Sequence, residues 1–436
     1  MSVPRCLVWV AALASVLAAR PASAQRQFSR PVDASGFELS ISEEFEASKP
    51  ILVVHASIPY RRLVFFLRGS GYEAKFRVYL ELKDAHGKRV QGEVWEESAT
   101  TADFKETSSR SKAANVRKRF AVAPGEYRAE VVIEVIGTSR RFSQQETVRI
   151  VGGGVRGLEI SQPTFYTESP GSQSVKPPAG QIAFSWCSPG EADSKVNPGA
   201  VYGDTTSWVK VAFNVAAGSS HGSGRFAITA RVRDSEGTVV LYNHHLFNAV
   251  DQARATLCME IDIDSFVLGR YEIGVIAETG DGEEKSESQG RFTVLFNRGL
   301  LGEHFGDLLE ILSAIASKKE LEPIENAAPG DRMKAWASFW RKRDESSPPG
   351  SSEQYGEFLA RLKEVLASFS RVKPGWKTDM GKTYLLNGEP DKIDNRQDPR
   401  MGRYYELWYY YSKGTVYVFE DTVGSGEYRL ITTEMI

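Results

Sequence analysis

Three carboxylates, Asp379, Asp391 and Asp394, fall within one short stretch of this chain. Acids gathered at that density support two kinds of chemistry. They act as general acid and base when their surroundings push their pKa values apart, or they hold a hard cation such as calcium. Asn395 and Asp398 stand close enough in sequence to add oxygen ligands. The spacing is not that of a calcium-binding helix–loop–helix, however, and no metal ligand set is assigned.

Other catalytic options are narrow. The chain has six histidines and the last is His304, so the region around these acids holds neither histidine nor cysteine. That excludes a local Ser-His-Asp or Cys-His arrangement and leaves zinc without its usual ligands. His244 and His245 adjoin on an expected strand and point to opposite faces, so they cannot chelate together. No phosphate-binding loop, dinucleotide fingerprint or His-Glu-x-x-His pattern occurs. Gly152 to Gly157 is glycine-rich but lacks the strand-to-helix setting of a phosphate cradle. No catalytic residue and no cofactor is assigned, and a carboxylate-based hydrolase is the least favoured function.

The same acids have simpler work at the ends of a helix. In Gly375-Trp376-Lys377-Thr378-Asp379, Thr378 or Asp379 can accept backbone N–H bonds where a helix starts, and a carboxylate suits its positive end. Trp376, just outside the cap, can staple the helix to a following sheet. Asn387-Gly388 predicts a left-handed stop, and Pro390 prevents continuation. The residues singled out are Gly375, Trp376, Thr378, Asp379, Gly381, Gly388, Pro390 and Asp391, with Trp408 and Tyr410 on the strand beyond.

The run from Gly375 to Ile393 closely resembles the signature of the GWxTD-domain family, which is named after its first five residues. The Phe-Trp-Arg-x-Arg-Asp run ending at Asp344, and the acidic-aromatic helix after it, match what the family carries upstream. The likeness covers about 330 to 433. It implies an exported bacterial protein and no particular chemistry. Met380 stands where relatives carry a basic residue, which counts against anion binding at that position.

The N-terminus agrees with export. Arg5 precedes an apolar run from Leu7 to Ala19 that only Ser15 interrupts, and Ala22-Ser23-Ala24 forms a small-x-small cleavage site. The run is shorter than the roughly 20 residues a membrane span needs. Residues 1–24 therefore read as a signal peptide, and no transmembrane segment is expected in the mature chain. The formal charge is −2, and −4 once Arg5 and Arg20 are removed, which argues against a nucleic-acid partner. Cys187 and Cys258 are the cysteines that remain. A disulfide between them is one option in an oxidising compartment and two buried thiols the other.

An internal repeat organises the first two thirds. Phe76 to Val90 aligns without gaps on Phe226 to Val240, each an alternating strand, an Asp-x-x-Gly turn and a returning strand. Gly125-Glu126-Tyr127 and Gly269-Arg270-Tyr271 each open a later strand, as a corner tyrosine does in immunoglobulin-like domains. The fold expected is multidomain and β-rich. Two tandem immunoglobulin-like β-sandwiches, 25–152 and 155–297, lie about a Gly152-Gly153-Gly154 joint. A domain over 298–436 follows, with helices at 300–317, 331–344 and 352–370, then the capped helix and a β-meander at 375–433. Lys105 to Arg119 reads as a solvated basic hairpin tip rather than a contact for an acidic surface, and Pro163 to Pro198 as a long connection.

The function expected is a non-catalytic binding or scaffold protein of the cell envelope, placed in the periplasm, the envelope or outside the cell. Its partner would be an envelope protein or a glycan. In the carbohydrate alternative, Tyr405, Trp408 and Tyr410 stack on sugar rings near Glu406.

Overall fold

The computed structural model describes residues 36–46, 49–151, 157–168, 176–187, 194–203, 206–217, 225–247, 254–346, 354–371, 373–398, 402–422 and 424–436. The expected signal peptide over 1–24 and the expected Gly152-Gly153-Gly154 joint lie outside the described residues.

Alternation of apolar and polar residues builds the first region as two sheets over one core. β1 (Glu38–Glu46), β2 (Lys49–Pro59) and, later, Ala113–Ala121 form a three-stranded antiparallel sheet. The second sheet joins β3 (Phe66–Arg68), β4 (Gly71–Asp84), β5 (Arg89–Thr101), β7 (Gly125–Val135) and β8 (Arg141–Ile150), the strand Ala113–Ala121 being β6. Leu52, Val54 and Ile58 from one sheet pack with Phe76, Val78, Leu80 and Ile133 from the other.

The second region repeats this plan. Its strands are β9 (Leu158–Ile160), β10 (Thr164–Glu168), β11 (Ile182–Cys187), β12 (Ser194–Val196), β13 (Val201–Tyr202), β14 (Trp208–Ala217), β15 (Phe226–Arg233), β16 (Val239–Phe247), β17 (Arg254–Asp262), β18 (Gly269–Thr279) and β19 (Lys285–Val294). The order β16-β15-β18-β19 reproduces β5-β4-β7-β8, and the pair β14-β17 reproduces β2-β6. The repeated residues make the same bonds. Asp84 Oδ1 accepts from the amides of His86 and Lys88, and Asp234 Oδ1 from those of Glu236 and Thr238, all at 2.9 Å. Gly87 and Gly237 follow at φ 80° and 86°, a turn conformation that a side chain resists. The Tyr127 hydroxyl donates to Ala123 O at 2.8 Å and the Tyr271 hydroxyl to Val267 O at 2.7 Å, each four residues back.

One expectation changes in this region, and one open choice is decided. Pro163 to Pro198 is not a single connection, since β10, β11 and β12 lie within it. β11 extends the sheet beside β17, where Cys187 and Cys258 are joined by a disulfide with Cα atoms 5.7 Å apart.

His55 on β2 is buried, its Nε2 3.3 Å from Ser42 Oγ. Burial, aided by Arg117 and opposed by Glu44, lowers its pKa to about 4. The unfolded chain therefore takes up this proton first as pH falls from the ordinary 6.5. The stabilising effect of the neutral ring is full above that pH and lost towards pH 4. We expect a loss of about 2–3 kcal/mol from this group between pH 7 and 4.5. Urea unfolding of wild type and His55→Gln at both pH values checks it: the variant should show the flatter dependence, and equal slopes would refute the assignment.

After Phe296 the period changes from two to helical. The helices are α1 (Phe305–Ser313), α2 (Lys318–Glu325), α3 (Arg332–Ser346), α4 (Gln354–Ser368) and α5 (Asp379–Asn387). The expected helix over 300–317 is corrected: a 3-10 turn at Arg298–Leu301 precedes α1, which ends at Ser313, and α2 is an additional helix beyond those bounds. Ser317 and Glu320 form a capping box that starts α2, the signal the sequence reading passed over. Four antiparallel strands, β20 (Lys392–Asp398), β21 (Arg403–Tyr410), β22 (Thr415–Asp421) and β23 (Arg429–Met435), complete the chain in that spatial order. No described helix is long and apolar enough to cross a membrane.

The three parts touch one another. Phe296, at the end of the second region, stacks on Trp336 of α3 with centroids 4.7 Å apart and planes 6° from parallel. Asn214 of the second region donates to Glu43 O and Glu43 Oε2 of the first, at 3.2 and 3.1 Å. The first region also grips the C-terminal part. Lys363 pairs with Glu38, Arg61 and Arg62 pair with Glu389, and the Arg110 amide donates to Glu357 Oε1 at 3.1 Å. The 105–119 stretch is therefore not a solvated tip: Arg110 docks on α4, and Arg117, Lys118 and Arg119 sit within β6.

Candidate functional site

The signature residues assemble the start of α5 by close approach. Gly375–Lys377 makes one 3-10 turn, and Thr378 follows in an extended conformation as the N-cap. Thr378 Oγ1 accepts the Gly381 amide at 2.9 Å and donates to Gly375 O at 2.6 Å. A Cβ on Gly381 would stand 1.9 Å from Gly375 O, and one on Gly375 would stand 2.2 Å from Val365 O. Both glycines are thus needed for backbone to meet backbone. Trp376 is buried in the core that also holds Phe358, Leu362, Tyr384, Trp408 and Phe419, which is the anchoring its position predicted.

The three carboxylates serve separate places. Asp379, in the first turn of α5, accepts the Leu430 amide of β23 at 2.9 Å. Asp391, beyond the other end, accepts the Tyr411 amide at 2.7 Å. Asp394 pairs with Arg396 on the same strand at 2.9 Å. A nine-residue helix separates the first two by about 13 Å along its axis. The acids that the sequence suggested as convergent are each occupied by a different structural bond. Among the described residues no group of three or more His, Cys, Asp or Glu is placed to hold a metal ion.

At the far end of α5, Gly388 has φ 77° and ψ −155°, so the stop is left-handed in φ but extended in ψ. Its amide donates to Tyr384 O at 2.7 Å, and its carbonyl accepts the buried Tyr410 hydroxyl at 2.8 Å. Pro390 is buried beside it. Burial raises the pKa of the Tyr410 and Tyr384 hydroxyls, which therefore stay neutral donors.

β21 alternates as the sequence predicts, with Glu406, Trp408 and Tyr410 on the buried face. That placement corrects the sugar-stacking role. Trp408 is 0 % exposed and Tyr410 3 %, so neither offers a ring face to a ligand, and Tyr405 lies on the opposite side. Trp408 Nε1 donates to Glu406 Oε1 at 2.8 Å, which makes Glu406 a buried acceptor in the core rather than a sugar contact. Exposed aromatic side chains include Tyr411, just past β21, and Trp186 and Tyr242 in the second region.

Two further residues carry more than their sequence suggested. Asp421 is buried and accepts the amides of Gly424, Ser425 and Gly426, holding the loop before β23. A three-amide cradle needs the Gly-Ser-Gly run that follows, and that run was the available signal. Arg361 on α4 donates through Nη1 to Leu385 O and Leu386 O at 3.0 Å each, closing the end of α5.

The cavity beside the signature, bounded by Phe369, Arg371, Thr378, Met380 and Tyr428, has a volume near 30 Å³. That is room for about one water. A larger cleft of about 590 Å³ lies between the two β regions, lined by Arg149, Arg231, Arg233, Glu126, Glu272 and Glu287 among others. Its lining mixes both signs and contains neither histidine nor cysteine.

With this geometry in view, the comparison with known families is direct. Residues 300–432 match the model of the GWxTD domain, so the chain carries a GWxTD domain made of the helices and the four-stranded sheet. No curated protein matches the chain. Among solved structures, a red sea bream transglutaminase is similar at 6% identity with a TM-score of 0.17, covering 59% of this chain and 31% of that one. A glycosyl hydrolase family 2 member from Bacteroides cellulosilyticus is similar at 10% identity with a TM-score of 0.23, covering 56% and 28%. The chain thus spans less than a third of either protein, and likeness at that level bears on neither activity nor partner.

Proposed function

We propose that this is an exported, non-catalytic binding protein of the cell envelope that takes an extended segment of another envelope protein onto the edge of its GWxTD sheet. Two tandem immunoglobulin-like β-sandwiches act as the rigid support. Their facing sheets, the repeated Asp-x-x-Gly hairpins and the paired corner tyrosines favour that description of the first two regions. The disulfide between Cys187 and Cys258 suits an oxidising compartment such as the periplasm or the exterior.

The observation that carries the proposal is β23. It pairs with β22 on one side, Asp379 of α5 accepts its Leu430 amide near the start, and its side chains are exposed from Arg429 to Met435. Leu430, Ile431 and Met435 are 38 %, 50 % and 83 % exposed, and Ile436 beyond them 60 %. An exposed edge with apolar side chains is a template for a further strand, and charge blunts such an edge; β23 carries two charged side chains, Arg429 and Glu434. The opposite edge, β20, is blunted in that way by Lys392, Asp394, Arg396 and Asp398. The asymmetry favours β23 over β20 as the edge that pairs.

The test is affinity purification of tagged mature protein from its native envelope, compared with an Ile431→Lys/Met435→Lys double variant. Both positions are exposed, so the variant should fold as wild type does. A partner retained by wild type and reduced tenfold or more in the variant is expected. Equal recovery of the same partner by both, or recovery of the chain alone, would refute strand addition at β23.

A further inference from the structure

The contact between the first β region and the end of α5 gathers positive charge around Asn387-Gly388. Arg110 reaches over the turn so closely that a Cβ on Gly388 would lie 2.6 Å from its Nη1 and 2.9 Å from its Nη2. Arg361 bonds the last carbonyls of the same helix, Leu385 O and Leu386 O. Lys413 donates to Asn387 Oδ1 at 2.8 Å. These cations sense one another: after burial, Arg110 is the next cause lowering the pKa of Arg361, and Arg361 in turn lowers that of Lys413. The facing acids are few. Glu357 meets Arg110 Nε at 3.7 Å and also favours the charged form of Arg361, and Glu389 is engaged by Arg61 and Arg62.

Three N–H groups in this cluster are buried without an acceptor among the described residues: Arg110 Nη1, Arg361 Nε and Asn387 Nδ2. Buried donors are nearly always paired, and the two guanidinium groups with Lys413 outnumber the Glu357 carboxylate they face, which leaves net positive charge. One oxyanion would answer both requirements. The dipole of α5 disfavours an anion at its C-terminal end, but Arg361 already occupies the last two carbonyls and offsets that field.

We propose that Arg110, Arg361 and Asn387 form a site for a carboxylate- or phosphate-bearing ligand, shared between the first β region and the GWxTD domain. Occupancy would tighten the docking of the two parts, because each supplies one of the guanidinium groups. The site is independent of the β23 edge, and its failure would leave that reading untouched.

The experiment is thermal unfolding of the mature chain in inorganic phosphate, in acetate and in chloride at matched ionic strength. Wild type should gain about 3 °C or more with a saturating dependence on phosphate, acetate or both. A response to acetate identifies a carboxylate as sufficient, and a response to phosphate alone identifies a phosphate group. Arg110→Gln should abolish the saturating response. Asn387→Asp, which places a carboxylate inside the cluster, should abolish it while keeping the protein folded. A non-saturating rise that is equal in wild type and variants is general salt exclusion and would overturn the proposal, as would no response in wild type.

Discussion

Replacing Gly381 by alanine is expected to destabilise the GWxTD domain by about 3 kcal/mol or more. The added Cβ would stand 1.9 Å from Gly375 O and 2.8 Å from Gly375 C. The obstacle is backbone, so no side chain can swing away to relieve it. Either the 3-10 turn moves off α5, losing the Thr378 cap, or Trp376 is drawn out of its core. Gly306→Ala is the matched control. Gly306 lies in α1 with open space around its Cβ, and alanine there should be neutral or stabilising by up to about 1 kcal/mol. Urea unfolding followed by tryptophan fluorescence measures both. Similar effects at the two positions would mean that the glycine contact is not what fixes the signature.

The second large effect is expected in the second β region. Cys187 and Cys258 close a loop with a sequence separation of 71 residues. Cross-linking a loop of that length restricts the unfolded chain by about 4 kcal/mol in the loop-entropy treatment. A Cys187→Ala/Cys258→Ala variant should lose that amount. It should do so mainly within the second region, because both cysteines lie on its β11–β17 pair. Reduction of the wild-type protein should give the same loss. An unchanged unfolding midpoint would show that the link adds nothing to the stability of the fold.

How far the sequence discloses this molecule depends on which physical signal each feature rests on. The β-rich regions were legible because Phe76 to Val90 and Phe226 to Val240 repeat both an alternation and a turn. A turn made by Asp84 or Asp234 is local chemistry that no distant contact alters. The start of α5 was legible for the same reason, since Thr378 caps it from three residues away. Local periodicity failed for a short polar segment: α2 carries Pro323 and only two buried residues, so no helix was expected between 317 and 331.

The site was less legible. The burial of Trp408 and Tyr410 depends on which face of β21 meets α4 and α5, and alternation alone gives two faces without saying which is covered. Asp379 and Asp391 looked like a pair because they are near in sequence, and the helix between them sets them apart. Arg110 was invisible as a contact residue, because its partners Glu357 and Gly388 lie more than two hundred residues away in the chain.

The most direct test of β23 as the binding edge places a photo-crosslinking amino acid at Thr433 on β23 and, separately, at Asn395 on β20, in protein expressed in its native envelope. Both strands are edges of one sheet, so the two probes differ in charge setting and apolar surroundings rather than in depth. A discrete cross-linked protein from Thr433 and none from Asn395 is the predicted result. No product from Thr433, or the same products from both positions, would contradict it.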